Sequence, residues 1–295
     1  MPLTAAFAVI FMSVIADHIE STLISAFAED HGFGDITSEA IFNGQHADGV
    51  FIAKSDGILS GVDAISIGYL LMDPEITIDI LKQDGDQLRS GDEIARVSGP
   101  AAPLLTGERA ILNLIQHLSG IATATNRAVT TLGESKTRVC DTRKTLPSLR
   151  SLQKYAVRCG GGFNHRMRLD DGLMIKDNHI IAAGGITNAV NAARKRVGLM
   201  VKVEVECETE AEVKEAVDSG ADIIMLDNKT PEQVKVLRTL IPDHILVELS
   251  GGITPDTIAR YHDCGADYIS LGSLTHSVKA LDISFNLLGG KKDPS

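Results

Sequence analysis

From about residue 137 onward the chain repeats one unit. Short apolar runs recur, each closing on polar residues or glycine: "TRVCDTRK", "GLMIKDN", "VKVEVEC", "ADIIMLDN", "ILVELSGG" and "ADYISLGS". The last four predicted strands begin every 20 to 23 residues, the period of a parallel βα barrel or a doubly wound sheet. Helix signals fall between them. "TEAEVKEAVDSG" opens on a Thr/Glu capping box and closes on glycine, and "TPEQVKVLRTL" and "TPDTIARYHDCG" each place proline in a first helical turn. The strand ends decide between the two architectures. They carry Arg143 and Lys144, then Lys176, Glu206, Asp227, Ser250 with Gly251 and Gly252, and Gly272. A barrel brings all its C-terminal strand ends to one mouth, whereas an open sheet spreads them along a crevice. Six clear strands do not support a full eight-stranded barrel. The expectation is an α/β protein whose residues 124–282 form an incomplete parallel α/β barrel of six to seven strands.

Residues 1–123 have another rhythm and predict an α+β sandwich domain. "GVFIAKSDGILSG" reads as strand, turn and strand around Ser55-Asp56-Gly57. "ITIDILKQDGDQLRSGDEIARVSG" holds two more strands about an acidic glycine turn, and a long amphipathic helix follows Pro103. Residues 283–295 are expected to pack with this domain. The opening "MPLTAAFAVIFMSVIADHIESTL" has an apolar run of signal-peptide length, but no Lys or Arg precedes it. Its later part reads better as an amphipathic helix, with Ile15, Ile19, Leu23 and Phe27 on one face. Met12 is an alternative start, and the role of residues 1–15 stays open.

Charge narrows the function. The chain has a formal net charge of -11, yet Arg138 to Lys176 holds nine Lys/Arg against three acids. An acidic chain lacks the overall basic footprint of a nucleic-acid binder, so a local cation cluster implies a small anionic ligand. Arg150, Lys154 and Arg158 read instead as a solvated helix face. The four cysteines, Cys140, Cys159, Cys207 and Cys264, form no C-x-x-C pair, which speaks against a zinc site or disulfide framework and suits a reducing compartment. With no apolar stretch of membrane-spanning length, a cytoplasmic location and no membrane partner are expected.

At the predicted mouth, Arg143, Lys144, Arg166 and Lys176 offer forked and point-charge donors for carboxylates or phosphates. "SGGITPD" and "LGSLTHS" place glycine-rich loops after the last two strands, where barrels often hold phosphate. Glu206 and Asp227 are out of place beside an anion unless the ligand also carries hydroxyls, a magnesium ion or a developing positive charge. A ribose losing pyrophosphate from C1 has all three. The competing reading makes Glu204, Glu206 and Asp227 structural ion-pair partners of the nearby cations.

These residues sit within longer motifs. "DTRKTLPSLRSLQKYAVRCGGGFNHR", "IKDNH", "VEVE", "DIIMLDN", "ELSGGI" and "SLGSLTHSVKALDIS", preceded by "EDHGFGDITSEAI" and "LLTGERAILNLIQHLSGIAT", resemble the quinolinate phosphoribosyltransferase family, in order, over nearly the whole chain after about Ile15. The resemblance implies phosphoribosyl transfer from 5-phosphoribosyl-1-pyrophosphate to quinolinate with decarboxylation. The products would be nicotinate mononucleotide, pyrophosphate and carbon dioxide, with Mg2+ required and no organic cofactor. It also implies roles. Arg143, Lys144, His165, Arg166 and Lys176, with Thr142 beside them, would line the dicarboxylate and phosphate pocket. Glu206 and Asp227 would face the ribose hydroxyls and the metal. Ser250, Gly251, Gly252 and Gly272 would hold the 5-phosphate, with Ser270 and Ser273 as further substrate-binding residues. Lys144, His165, Lys176, Glu206 and Asp227 are the candidate catalytic groups. Whether Lys176 or the Lys144/His165 pair protonates C2 is open, and His165 serves equally well as an orienting group. Arg109, on the long N-terminal helix, is implied to reach a neighbouring subunit's site, which makes the active unit a homodimer or higher homo-oligomer.

Three positions depart from the family's pattern: Ser148 where glycine usually follows the "TRKT-x-P" proline, Phe163 where histidine is common, and Arg168 in place of a usual glycine. None removes an assigned charge. Among the rivals, a molybdenum-transport-associated relative usually lacks the "KDNH" that is intact here. A non-catalytic ligand-binding homologue predicts binding without turnover, although no proposed catalytic charge is lost. An ordinary type I phosphoribosyltransferase needs a glycine-containing phosphate loop directly after "IIMLDNKTPE", and that loop is absent.

Overall fold

The structure, a computed structural model, describes residues 3–289. The chain divides into two compact units. The first takes in the residues up to Ala124, Leu146–Gly161 and those from Ser277, and the second Thr125–Thr145 and Gly162–His276.

In the first unit, α1 (Leu3–His31) is one continuous helix that buries Ile15, Ile19, Leu23 and Phe27, as their four-residue spacing requires. The short α2 (Ile36–Ile41) starts where the Asp35 carboxylate accepts the backbone N–H groups of Thr37 and Ser38. Strands β1 (His46–Ala53), β3 (Thr77–Ile80), β5 (Glu93–Pro100) and β12 (Ile283–Leu288) form an antiparallel sheet in the order β12-β1-β5-β3. The strands β2 (Gly57–Ile58) and β4 (Gln87–Leu88) pair separately. Phe51 and Phe285 face each other across β1 and β12 with ring centroids 4.9 Å apart, and Tyr69 of α3 (Asp63–Met72) meets Phe51 edge-on. The long α4 (Ala101–Leu132) follows β5, and α5 (Arg150–Cys159) completes the first unit's helices.

That last placement corrects two sequence readings. Residues 146–161 cluster with the first unit and not within the barrel range 124–282. Lys154 does not lie on a solvated face but is fully buried, Arg150 is half-buried, and Arg158 alone is exposed. Lysine tolerates this where its four-carbon stem packs on apolar neighbours and its ammonium keeps a polar partner, here on the same helix as buried Leu152, Ala156 and Val157.

The second unit is built on β6 (Arg138–Cys140), β7 (Leu173–Ile175), β8 (Val203–Cys207), β9 (Ile223–Asp227), β10 (Leu246–Ser250) and β11 (Tyr268–Ser270). They form one parallel sheet ordered β6-β11-β10-β9-β8-β7. That is chain order wrapped into a ring with one break, between β6 and β7. Phe163 makes a parallel bridge to Cys140 on the open side of β6. The result is an incomplete parallel α/β barrel. Helices α6 (Asp177–Ala183), α7 (Ile186–Arg194), α8 (Glu210–Asp218), α9 (Pro231–Arg238) and α10 (Ser273–His276) connect the strands. The capping boxes of α8 and α9 form at Thr209/Glu212 and Thr230/Gln233. "TPDTIARYHDCG" yields only a single 3-10 turn at Ile258–Tyr261, because the Thr254 and Thr257 hydroxyls engage each other and the local backbone, and so compete with helix formation.

Strand alternation then sets the chemistry. Val203, Val205, Ile224, Leu226, Val247 and Leu249 are buried on one face. Their neighbours Glu204, Glu206, Met225, Asp227, Glu248 and Ser250 line cavities inside the barrel. Among the described residues no helix is long and apolar enough to cross a membrane, and all four cysteines are free.

Candidate active site

The C-terminal strand ends enclose a cavity of about 590 Å3, within the range of small-molecule sites. Thr142, Arg143 and Lys144 follow β6; Lys176 follows β7; Glu206, Asp227, Ser250 and Ser270 come from the last turns of β8 to β11; Gly251 and Gly252 follow β10. His165 and Arg166 enter from the loop beside β6. Asp141 fixes that loop: its buried carboxylate accepts the Asn164 side-chain amide at 2.6 Å and the His165 backbone N–H at 2.9 Å. Backbone bonds from Phe163 to Val139 and from Asp141 to Phe163 complete the stitching.

Two guanidiniums crowd the pocket. Arg166 donates to the Gly172 carbonyl at 2.7 Å, and both burial and the neighbouring Arg143 charge lower its affinity for its proton. Arg143 Nε is buried and has no hydrogen-bond partner among the described residues. Like charges held together with an unsatisfied donor are costly until an anion sits between them. Lys176 Nζ donates to Glu206 Oε2 at 2.9 Å, and Asn228 donates to the Asp227 carboxylate. The ion-pair reading therefore holds for Glu206 through Lys176, while the Asp227 carboxylate takes an amide. Asn228 adopts φ 53 and Gly251 φ 89; a Cβ at Gly251 would lie 2.9 Å from the Asn228 backbone nitrogen, so this close approach of the β9 and β10 loops requires glycine.

At mid-depth, His165 Nε2 lies 3.2 Å from both Glu204 and Glu248, and the Ser270 hydroxyl donates to the other Glu248 oxygen. Burial pulls the imidazole down, but hydrogen bonds to the two glutamates and their charges outweigh it and favour a hydrogen at Nε2, while the Arg166 backbone N–H held against Nδ1 opposes a second ring proton. Burial pushes the Glu204 carboxyl up.

Not every expected residue lines the cavity. Gly272 instead leaves room for Lys144, whose Cδ a Cβ there would meet at 2.9 Å. Ser273 begins α10 with its hydroxyl buried and without a hydrogen-bond partner among the described residues. Arg109 stands exposed on α4 in the first unit. Of the departures, Phe163 packs under Arg138, with the guanidinium 4.6 Å from the ring centre, and Arg168 pairs with Asp170 on the surface. Asp141 and Glu248 were passed over in the sequence. A lone acid beside "TRK" and one inside an apolar strand look unremarkable there; the period-2 alternation that turns Glu248 inward with Ser250 was the available signal.

Family comparisons agree with this architecture. The quinolinate phosphoribosyl transferase C-terminal domain matches residues 121–286, and its N-terminal domain matches residues 35–119. The probable nicotinate-nucleotide pyrophosphorylase (carboxylating) of Bacillus subtilis is 52% identical over 261 residues, covering 88% of this chain and 90% of its own. The corresponding Mycobacterium leprae protein is 39% identical over 285 residues, covering 92% and 98%. The crystal structure of NadC from Streptococcus pyogenes superposes with a TM-score of 0.88 at 44% identity, over 92% of this chain and 97% of that one. With both domains matched in order, and relatives covered over almost their full length, the chain belongs to the quinolinate phosphoribosyl transferase family.

Proposed function

We propose that this chain transfers the phosphoribosyl group of 5-phosphoribosyl-1-pyrophosphate to quinolinate with loss of carbon dioxide, making nicotinate mononucleotide for de novo NAD synthesis. The observation that carries this is the Arg143/Arg166 pair, two crowded guanidiniums with an unsatisfied buried donor, beside acids that face the same cavity. A planar dicarboxylate answers the guanidiniums with bidentate pairing.

In this reading Arg143, Arg166 and His165 hold the acceptor so that its ring nitrogen faces C1 of the ribose. Ser250, Gly251 and Gly252 hold the 5-phosphate, and Lys144 meets the phosphates as a point charge. Glu206 and Asp227 face the ribose hydroxyls and the positive charge that grows at C1 as pyrophosphate leaves. Attack quaternises the pyridine nitrogen, which then stabilises the electron pair left on C2 when the adjacent carboxylate departs. The protein's contribution is positioning and charge neutralisation. Glu206 and Asp227 also fit Mg2+: each has one oxygen engaged, by Lys176 or Asn228, and magnesium takes one or two carboxylates together with substrate phosphates and water. Held there, the ion supplies charge neutralisation for the leaving group. Arg109, exposed on α4, is the group we assign to a neighbouring copy's site, which makes the active unit at least a homodimer.

The test is turnover. Purified protein with phosphoribosyl pyrophosphate, Mg2+ and quinolinate is expected to release nicotinate mononucleotide and carbon dioxide in equal amounts, with nicotinate inactive as acceptor. Turnover with neither acceptor, in folded protein that binds phosphoribosyl pyrophosphate, would overturn the reading.

A further inference from the structure

Barrel interiors are ordinarily filled by layers of Val, Ile and Leu. This one holds two glutamates at mid-depth, Glu204 on β8 and Glu248 on β10, each 4% exposed. Buried carboxylates are costly unless partnered, and here the common partner is His165. One side of the cluster faces the 590 Å3 active-site cavity through His165 and Glu248. The other faces a second cavity of about 370 Å3, lined by Glu204 and, from the N-terminal strand ends, by Lys202, Ile223, Leu246 and Tyr268.

The ring is held at both nitrogens. Nδ1 accepts the Arg166 backbone N–H at 2.7 Å. Nε2 lies 3.2 Å from a carboxylate oxygen of each glutamate, so its hydrogen points between the two acids. The supports are themselves fixed, Glu248 by the Ser270 hydroxyl and the His165 backbone by Asp141. Handing the Nε2 hydrogen to a substrate would leave two buried carboxylates facing each other across a ring with nothing to donate.

We propose that Glu204 and Glu248 are positioning residues that keep a hydrogen on Nε2 of His165 throughout the cycle, so that His165 is a fixed floor of the acceptor pocket and not the acid that protonates C2. The inference rests on the proposed reaction for what the pocket holds. In that reaction the bond from C2 to the carboxylate breaks, carbon dioxide leaves, and the electron pair stays on C2. The proton C2 then takes up comes from a lysine ammonium of the pocket or from water.

Two measurements test this, the first without turnover. In 15N-labelled full-length protein at neutral pH, His165 is expected to show a slowly exchanging ring N–H signal from Nε2, assigned by its loss in His165→Asn. Glu248→Ala should weaken or abolish it, and Glu248→Gln, which keeps an acceptor oxygen, should retain it. Absence of that signal in the wild-type protein would overturn the proposal whatever the substrate proves to be. The second is a kinetic split. Glu248→Ala should raise the acceptor KM by about tenfold, the effect of one lost charged hydrogen bond, with kcat within about threefold, and Glu248→Gln should recover most of the loss. Removal of a general acid costs about 10²- to 10⁴-fold in rate; a fall of that size in kcat for His165→Asn, with KM unchanged, would make His165 the acid and sink the idea.

Discussion

The two units of this chain fill their interiors by opposite rules. Around Phe51, Tyr69 and Phe285 the antiparallel sheet closes on apolar rings, and all of β1 from Val50 to Ala53 is buried or nearly so. The barrel instead turns Glu204, Glu206, Asp227 and Glu248 inward among cavities. The first arrangement gains stability from dispersion and water release. The second gives some of that up to hold charged groups along its cavities. Stability and function are thus written into different strands, and substitutions should separate them.

The largest effect is expected where packing is densest. Phe51→Ala removes a fully buried ring and should cost about 3–5 kcal/mol in urea unfolding of the first unit. A loss below about 1 kcal/mol would mean that this aromatic cluster is not the stabilising core the comparison requires.

Arg166→Ala tests the other interior. One charged, forked contact to a carboxylate is lost, so the acceptor KM should rise about a hundredfold, equivalent to roughly 2–3 kcal/mol. The melting temperature should move by no more than about 2 °C, because the substitution also relieves Arg143 of a like-charged neighbour. An unchanged acceptor KM would count against the pocket assignment, and a large loss of stability would erase the distinction between the two interiors.

What the sequence disclosed follows the same division. The barrel was legible because each strand ends in a polar group, so that Lys176, Glu206, Asp227 and Ser250 announced one mouth before any geometry was known. The ring's break between β6 and β7 was not legible, since strand period says nothing about which edges bond. Glu248 was hidden because one acid inside "ILVELS" looks like ordinary alternation until its facing residues are known, and His165 lies more than eighty positions away. Lys154 misled for the opposite reason: charge predicts exposure on average, but on a helix that buries Leu152, Ala156 and Val157 a lysine whose ammonium keeps a polar partner can go inside.

A third prediction concerns the cap that starts α2 in the first unit. Bonds from Ser38, Thr106 and Thr37 hold the Asp35 carboxyl down at about 2. The folded value lies below the unfolded one, so this contribution is fully present above about pH 4. It is lost as pH falls through about 2. Asp35→Ala should cost about 1 kcal/mol at neutral pH, and the difference from wild type should shrink as acid is added. A difference that does not depend on pH would assign the effect to packing and not to the charged cap.

The smallest expected effect touches neither interior. Ser148 is exposed with φ 65, a left-handed conformation that costs a residue with a Cβ about 1 kcal/mol. Glycine adopts it without that penalty, which gives a physical reason for the family's usual glycine after this proline. Part of the gain is offset because glycine also loses more backbone entropy on folding. Ser148→Gly should therefore stabilise the first unit by about 0.5 kcal/mol, with KM for both substrates unchanged. Ser148→Ala keeps the Cβ and so should give no gain. If alanine stabilised as much as glycine, the serine hydroxyl and not the backbone would be the source of the cost. If glycine destabilised, the hydroxyl would be contributing to the turn that leads into α5, and this departure from the family's pattern would be a local adaptation of the first unit with no bearing on the barrel mouth.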